Sequence, residues 1–293
     1  MHDIISLLRT NTGVFLTVIG FFALMFGSFL NVVIARLPII LKQKWRQDCY
    51  EFLELNNTPE QNTRIKISLL FPRSYCPKCK TTLRAIDNVP VLSFIFLGGK
   101  CHFCKTPISW QYPFVELCTA ILCVFVAYKF GFSWQTLAGC LLTCILMAQS
   151  GIDCKEKMIP DEITLPALWI GILINYFAIF CDLPTAVLGA VSGYIILWLI
   201  YWIFYFITGK EGMGYGDFKL FAMLGAWLGW TMLPLIILLS STIGALSGAM
   251  LLLFGKYDRN SRIPFGPFLA IAAWIALCWG SQINTWYLTY AGL

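Results

Sequence analysis

Charge and histidine are scarce in this 293-residue chain. Only 12% of its residues are charged, roughly half the share found in soluble domains. Hydrophobic residues make up 58%, and the mean hydropathy is +0.73. A water-soluble globule is excluded, and the composition is that of a polytopic membrane protein. The two histidines are His2, at the terminus, and His102, between cysteines. No spare imidazole stands near a nucleophile, which excludes Ser-His-Asp and Cys-His catalysis. A His-Glu-x-x-His helix, a phosphate-binding glycine loop and a dinucleotide fingerprint are all missing. No nucleic-acid partner is expected. The twelve cysteines do not make a secreted disulfide scaffold either, because such scaffolds are short and polar.

What is abundant is long apolar sequence. Eight runs approach the roughly 17–25 residues that cross a bilayer as a helix: 13–35, 113–130, 133–151, 163–181, 184–207, 217–230, 232–254 and 265–288. The expected fold is an all-α polytopic membrane protein with about eight transmembrane helices, embedded in lipid. The weakest division lies around Thr231 and Pro234, where the sixth and seventh runs could be one kinked segment. The first run is too long for a signal-peptide core and lacks a convincing cleavage site, so it is expected to be retained.

Segment 36–112 holds 12 of the 21 lysines and arginines. Seven more, Lys155, Lys157, Lys210, Lys219, Lys256, Arg259 and Arg262, fall on the same side of an eight-span arrangement. Only Arg9 and Lys129 fall on the other. The positive side faces the cytoplasm, which puts both termini outside. It also puts Asp153 and Asp217 at the cytoplasmic face and Asp182 at the opposite one. The expected organisation is a first transmembrane helix in 1–35, a cytoplasmic cysteine-rich insert in 36–112, and a membrane-embedded catalytic domain in 113–293.

Within the insert, Cys76-Pro-Lys-Cys79 and Cys101-His-Phe-Cys104 are separated by 21 residues. Two such pairs can set four thiolates around one Zn²⁺, and in so small an insert the metal would supply much of the folding energy. Two disulfides or a redox-active pair are the competing explanations. Cytoplasmic thiols are kept reduced, which disfavours the first, and a redox pair leaves the other two cysteines unexplained. Structural zinc on Cys76, Cys79, Cys101 and Cys104 is therefore expected, with His102 a bystander. Cys154 and most of the other cysteines are expected to pack as small hydrophobes. Residues 42–63 are polar and without motif, a solvated helix or variable insertion.

The remaining chemistry is that of carboxylates. An ionisable group beside a bilayer is a functional candidate by default, and Asp153 and Asp217 lie at the ends of apolar runs on one membrane side. Two adjacent carboxyl groups share a proton and titrate as a pair. The charged member can deprotonate a water while the protonated one polarises a peptide carbonyl. Glycines on both sides of Tyr215 relax the backbone before Asp217. Structural roles compete: Asp153 could pair with Lys155 or Lys157, and Asp217 with Lys219. Asp161, following Pro160, reads as a helix N-cap, and Glu162 suits the first turn.

At Gly212-Met-Gly-Tyr-Gly-Asp-Phe-Lys-Leu220 the chain resembles the type IV prepilin peptidases, the leader peptidase/N-methyltransferases. Four further stretches carry the resemblance along nearly the whole length. They are Gly27 to Pro38, the cysteine pairs flanking Asp87-Asn88-x-Pro90 with Tyr112 to Glu116 after them, Asp153 to Asp161, and Ile263 to Pro267. The resemblance implies an aspartic endopeptidase of the bacterial inner membrane with Asp153 and Asp217 as catalytic pair. It also implies methylation of the new N-terminal amine with S-adenosylmethionine, by residues it does not identify. The implied substrates are prepilins or the pseudopilins of type II secretion, with a basic leader, a Gly at the cut and a hydrophobic helix carrying a Glu. That Glu could pair with Lys219 or Arg262. A proton-coupled transporter using the two carboxylates as a relay is disfavoured, since a relay needs groups across the bilayer. A zinc-bearing scaffold without catalysis is the third possibility.

Three small-residue pairs, Gly189/Gly193, Gly225/Gly229 and Gly244/Gly248, are expected to let helices approach closely. Asn31 and Glu116 are expected to stabilise a helix interface. Trp279, Trp286, Tyr287 and Tyr290 suit an interfacial belt.

Overall fold

The computed structural model describes residues 2–53, 68, 69, 71, 73–76, 78–84, 86–210, 212–254 and 263–291. They form α1 (His2–Thr10), α2 (Thr12–Phe52), α3 (Leu92–Phe96), α4 (Gln111–Phe130), α5 (Trp134–Glu156), α6 (Asp161–Tyr176), α7 (Leu183–Thr208), α8 (Tyr215–Leu228), α9 (Leu233–Leu253) and α10 (Gly266–Ala291). The chain divides into two compact units, Met1–Phe125 and Val126–Leu293.

In the first unit, Asn11 caps α2 by accepting the Val14 amide at 3.1 Å. The helix then runs past 35 to Phe52, and its polar end, 42–49, is exposed. The rest of the polar stretch, 54–63, lies outside the described residues, as do Lys256, Arg259 and Arg262. Small residues bring α2 against α4. A Cβ on Gly20 would stand 3.2 Å from Val124, and one on Gly27 would stand 2.8 Å from the Glu116 backbone. One turn further on, Asn31 Nδ2 donates to the Tyr112 carbonyl at 3.0 Å.

The second unit is built around α8, which packs against α6, α7, α9 and α10. Eleven of its fourteen residues are buried, and a helix apolar all round belongs in such a place. Gly189 of α7 lies directly on the Gly225 backbone, and Gly193 approaches the Phe221 carbonyl. The expected close approach of small residues is realised at this α7–α8 contact.

All eight apolar runs form helices, and six of those helices are long and apolar enough to cross a membrane. The two short ones are α6, with 16 residues, and α8, with 14. α8 stops because Gly229 takes φ +84, followed by a 3₁₀ turn at Trp230–Met232. The expected weak boundary near Thr231 is thus a real one. A helix that ends in buried surroundings leaves carbonyls that need donors. Asn175 meets that need: its Nδ2 donates to the Ala226 and Trp227 carbonyls at 2.9 and 2.8 Å. Its Oδ1 accepts the Phe180 and Cys181 amides, so one side chain finishes α8 and pins the turn after α6.

Candidate active site and cysteine centre

Asp153 lies in the last turn of α5, where the helix dipole disfavours a negative charge. The compensation comes from another helix. The Gly266 amide, at the N-terminus of α10, donates to Asp153 Oδ2 at 2.9 Å, a helix-terminus anion contact made across the fold. Asp217 sits in the first turn of α8, on the favourable end of its own dipole, and its Oδ2 accepts the Gly214 amide at 3.2 Å. The two side chains are 5% and 7% exposed.

The N-termini of α8 and α10 meet across Ile159. A Cβ on Gly216 would stand 3.0 Å from Ile159 Cβ. One on Gly266 would stand 3.2 Å from Ile159 Cδ1 and 2.7 Å from Asp153 Oδ2. Both helices therefore carry glycine where their first turns pack on Ile159, and Gly266 also leaves no room for a Cβ beside Asp153.

Among the described residues neither aspartate is spent on a lysine. Lys219 Nζ is bonded to Asp161 Oδ2 at 2.6 Å, an ion pair joining the starts of α8 and α6. Two expectations change with it. Asp161 is the first residue of α6, following Pro160 at the N-cap, so it is an ion-pair partner and not the cap. Lys219 already has a carboxylate, which removes it as a free partner for a substrate Glu; the alternative, Arg262, is outside the described residues. Cys154 also departs from expectation, being exposed and not packed.

The four cysteines of the first unit converge. Their sulfurs all lie within 4.8 Å of one another, with Cys76 and Cys104 Sγ 3.7 Å apart. Zn–S bonds of about 2.3 Å in a tetrahedron require sulfurs about 3.8 Å apart, so the set fits a metal ion. His102 is exposed against Phe103 and stays out of the cluster.

Each half is the same small device. The Cys76 and Cys101 amides donate to the Thr81 and Thr106 carbonyls, and the Lys80 and Lys105 amides return to the Cys76 and Cys101 carbonyls. Both lysines sit at φ +57. The signal for this was a repeated Cys-x-x-Cys-Lys-Thr, which spacing of cysteines alone does not reveal. The Thr106 hydroxyl, 3.2 Å from Cys104 Sγ, and the Thr106 backbone hold the Cys104 thiol down to about 6. It is therefore a thiolate at neutral pH, the form that binds metal.

Elsewhere in this unit Glu116 accepts the Val91 amide at 2.8 Å. Asn31 Oδ1 and Asp87 Oδ2 are buried and have no hydrogen-bond partner among the described residues. Buried acceptors of this kind call for a donor.

Two family models match the sequence: the Bacterial Peptidase A24 N-terminal domain over residues 21–130 and the Type IV leader peptidase family over residues 140–249. A prepilin leader peptidase/N-methyltransferase of Stutzerimonas stutzeri is 50% identical over 270 residues, 92% of each chain. One from Pseudomonas aeruginosa is 49% identical over 269 residues, again 92% of each. One from Legionella pneumophila is 44% identical over 273 residues, 93% of this chain and 94% of the relative. No solved structure matches. With its long apolar helices and this match along nearly all its length, the chain is a membrane protein belonging to the type IV leader peptidase family.

Proposed function

We propose that this protein removes the leader from prepilins or type II pseudopilins and methylates the amine that cleavage exposes, at the cytoplasmic face of the bacterial inner membrane. What supports the proposal is that Asp153 and Asp217 are both buried and each accepts a glycine amide through one oxygen at a helix N-terminus, and that the two termini pack on the same Ile159. Fixing Oδ2 leaves the Oδ1 of each free to work on a substrate.

The pair shares one proton. Its ionised member takes a proton from a water, whose oxygen attacks the scissile carbonyl carbon. The protonated member hydrogen-bonds to the carbonyl oxygen as charge develops there. Collapse of the tetrahedral intermediate breaks the C–N bond, and a proton returns to the leaving amine. A basic leader stays on the cytoplasmic side, so the junction between leader and apolar helix reaches the same interface as the carboxylates. S-adenosylmethionine supplies an electrophilic methyl group for the new amine. Zn²⁺ would be held by Cys76, Cys79, Cys101 and Cys104; four thiolates close its coordination, so its role is to fold the insert.

Purified protein in detergent, given a prepilin peptide spanning the cleavage Gly, is expected to cut it at that junction. Folded, metal-loaded protein that leaves the peptide intact would overturn the proposal in favour of a scaffold.

A further inference from the structure

The first unit holds buried polar groups of its own, and two of them, Asn31 and Glu116, lie on the facing helices α2 and α4. Glu116, 7% exposed, accepts the Val91 amide through Oε2, and Ser28 stands beside the same carboxylate. Ser28 and Asn31 are one turn apart on α2; Tyr112 and Glu116 are one turn apart on α4. Asn31, 2% exposed, spends its Nδ2 on the Tyr112 carbonyl. That bond fixes the amide, because a flip would set two acceptor oxygens against each other. Asn31 Oδ1 is thereby left buried and unpartnered among the described residues. Asp87 Oδ2, four residues before Val91, is buried and unpartnered too. Val91 itself is held at φ +59, a conformation that β-branched residues avoid unless their surroundings impose it.

The corner between the facing turns of α2 and α4 therefore presents Asn31 Oδ1 and the Glu116 carboxylate, and Asp87 supplies a second carboxylate four residues before the Val91 amide that Glu116 holds. Among the described residues no lysine or arginine bonds either one. A ligand that satisfies such a set carries donors and positive charge. We propose that Asn31, Asp87 and Glu116 bind the cationic part of the methyl donor, its sulfonium and ammonium groups. This assignment rests on the methyl-transfer half of the proposed function. It has a direct consequence: loss of the methyl group turns the sulfonium into a neutral thioether, so the corner holds the donor more tightly than the spent product.

Binding of S-adenosylmethionine and S-adenosylhomocysteine to the purified, metal-loaded full-length protein tests this by calorimetry. Wild type is expected to bind the sulfonium roughly tenfold more tightly than the thioether, the weight of one contact to a charge. Glu116→Gln and Asp87→Asn are expected to abolish that preference while still binding the thioether, which a misfolded corner would not do. Variants that keep the full preference would overturn the site. A second measurement needs no variant: a donor analogue with a cationic amine at the sulfur position should displace S-adenosylmethionine from wild type far better than the thioether does. Equal displacement by the two would overturn the site as well. Wild type that binds none of these compounds would overturn methyl transfer itself, and this site with it.

Discussion

The cysteine centre and the carboxylate site solve the same problem, holding like charges together, by opposite means. In the cysteine centre everything is local. Two copies of one turn, Cys-x-x-Cys-Lys-Thr, each fold on their own backbone bonds, and Cys76 meets Cys104 across only 28 residues. The charge that reconciles the thiolates would come from a metal ion held among them. At the carboxylate site nothing is local. Asp153 is held by an amide 113 residues away, and the positive ends of α8 and α10 do the work that a metal does elsewhere. A site of the first kind can be read from spacing. One of the second kind exists only once the helices have packed.

Substitutions can break this contrast, the largest effects first. Asp153→Asn and Asp217→Asn should each lower prepilin cleavage by at least about a thousandfold, whereas Asp161→Asn should leave most of it. Comparable turnover in either of the first two would end the paired-carboxylate account. Gly266→Ala should cost about a hundredfold in cleavage, since a Cβ would stand 2.7 Å from Asp153 Oδ2 and displace it. Near-normal rates there would mean that the α10 terminus does not position Asp153.

On the cysteine side, elemental analysis of reduced protein should find one zinc per chain, lost in both Cys76→Ser and Cys101→Ser. Acidification should release it. Because the Cys104 thiol already titrates near 6, the thiolate persists above that value and is lost as pH falls below it. Metal binding moves release further towards acid, so a metal lost at pH 7 would contradict the centre. Lys105→Gly should keep the metal and Lys105→Val should weaken it, because φ +57 suits glycine and strains a β-branched residue. The smallest effect belongs to Lys219→Met: the Asp161 pair is 33% and 45% exposed, so its loss should change stability by less than about 1 kcal/mol.

The sequence exposed the fold and the four thiols well, and the carboxylate site only by name. Apolar runs located all eight helices because lipid demands long, continuous hydrophobicity. Length alone misjudged α6 and α8, whose ends are set by Asn175 and by Gly229 at φ +84. Asp153 and Asp217 stood out as rare charges in an apolar chain. Their true partners, Gly266 and Gly214, carry no chemical signature. Gly266 does stand in the Ile263-Pro-Phe-Gly-Pro267 motif, yet nothing in that motif points 113 residues back to Asp153. The Lys219–Asp161 pair was hidden for the same reason: both residues had nearer partners by sequence than the ones they took.

The most direct test of a shared proton is the pH dependence of leader cleavage under single-turnover conditions. One ionised and one protonated carboxyl must be present together, so the rate is expected to trace a bell, falling on both the acid and the alkaline side. A rate that climbs to a plateau and stays there would show that a single ionised group suffices, and would contradict the paired mechanism.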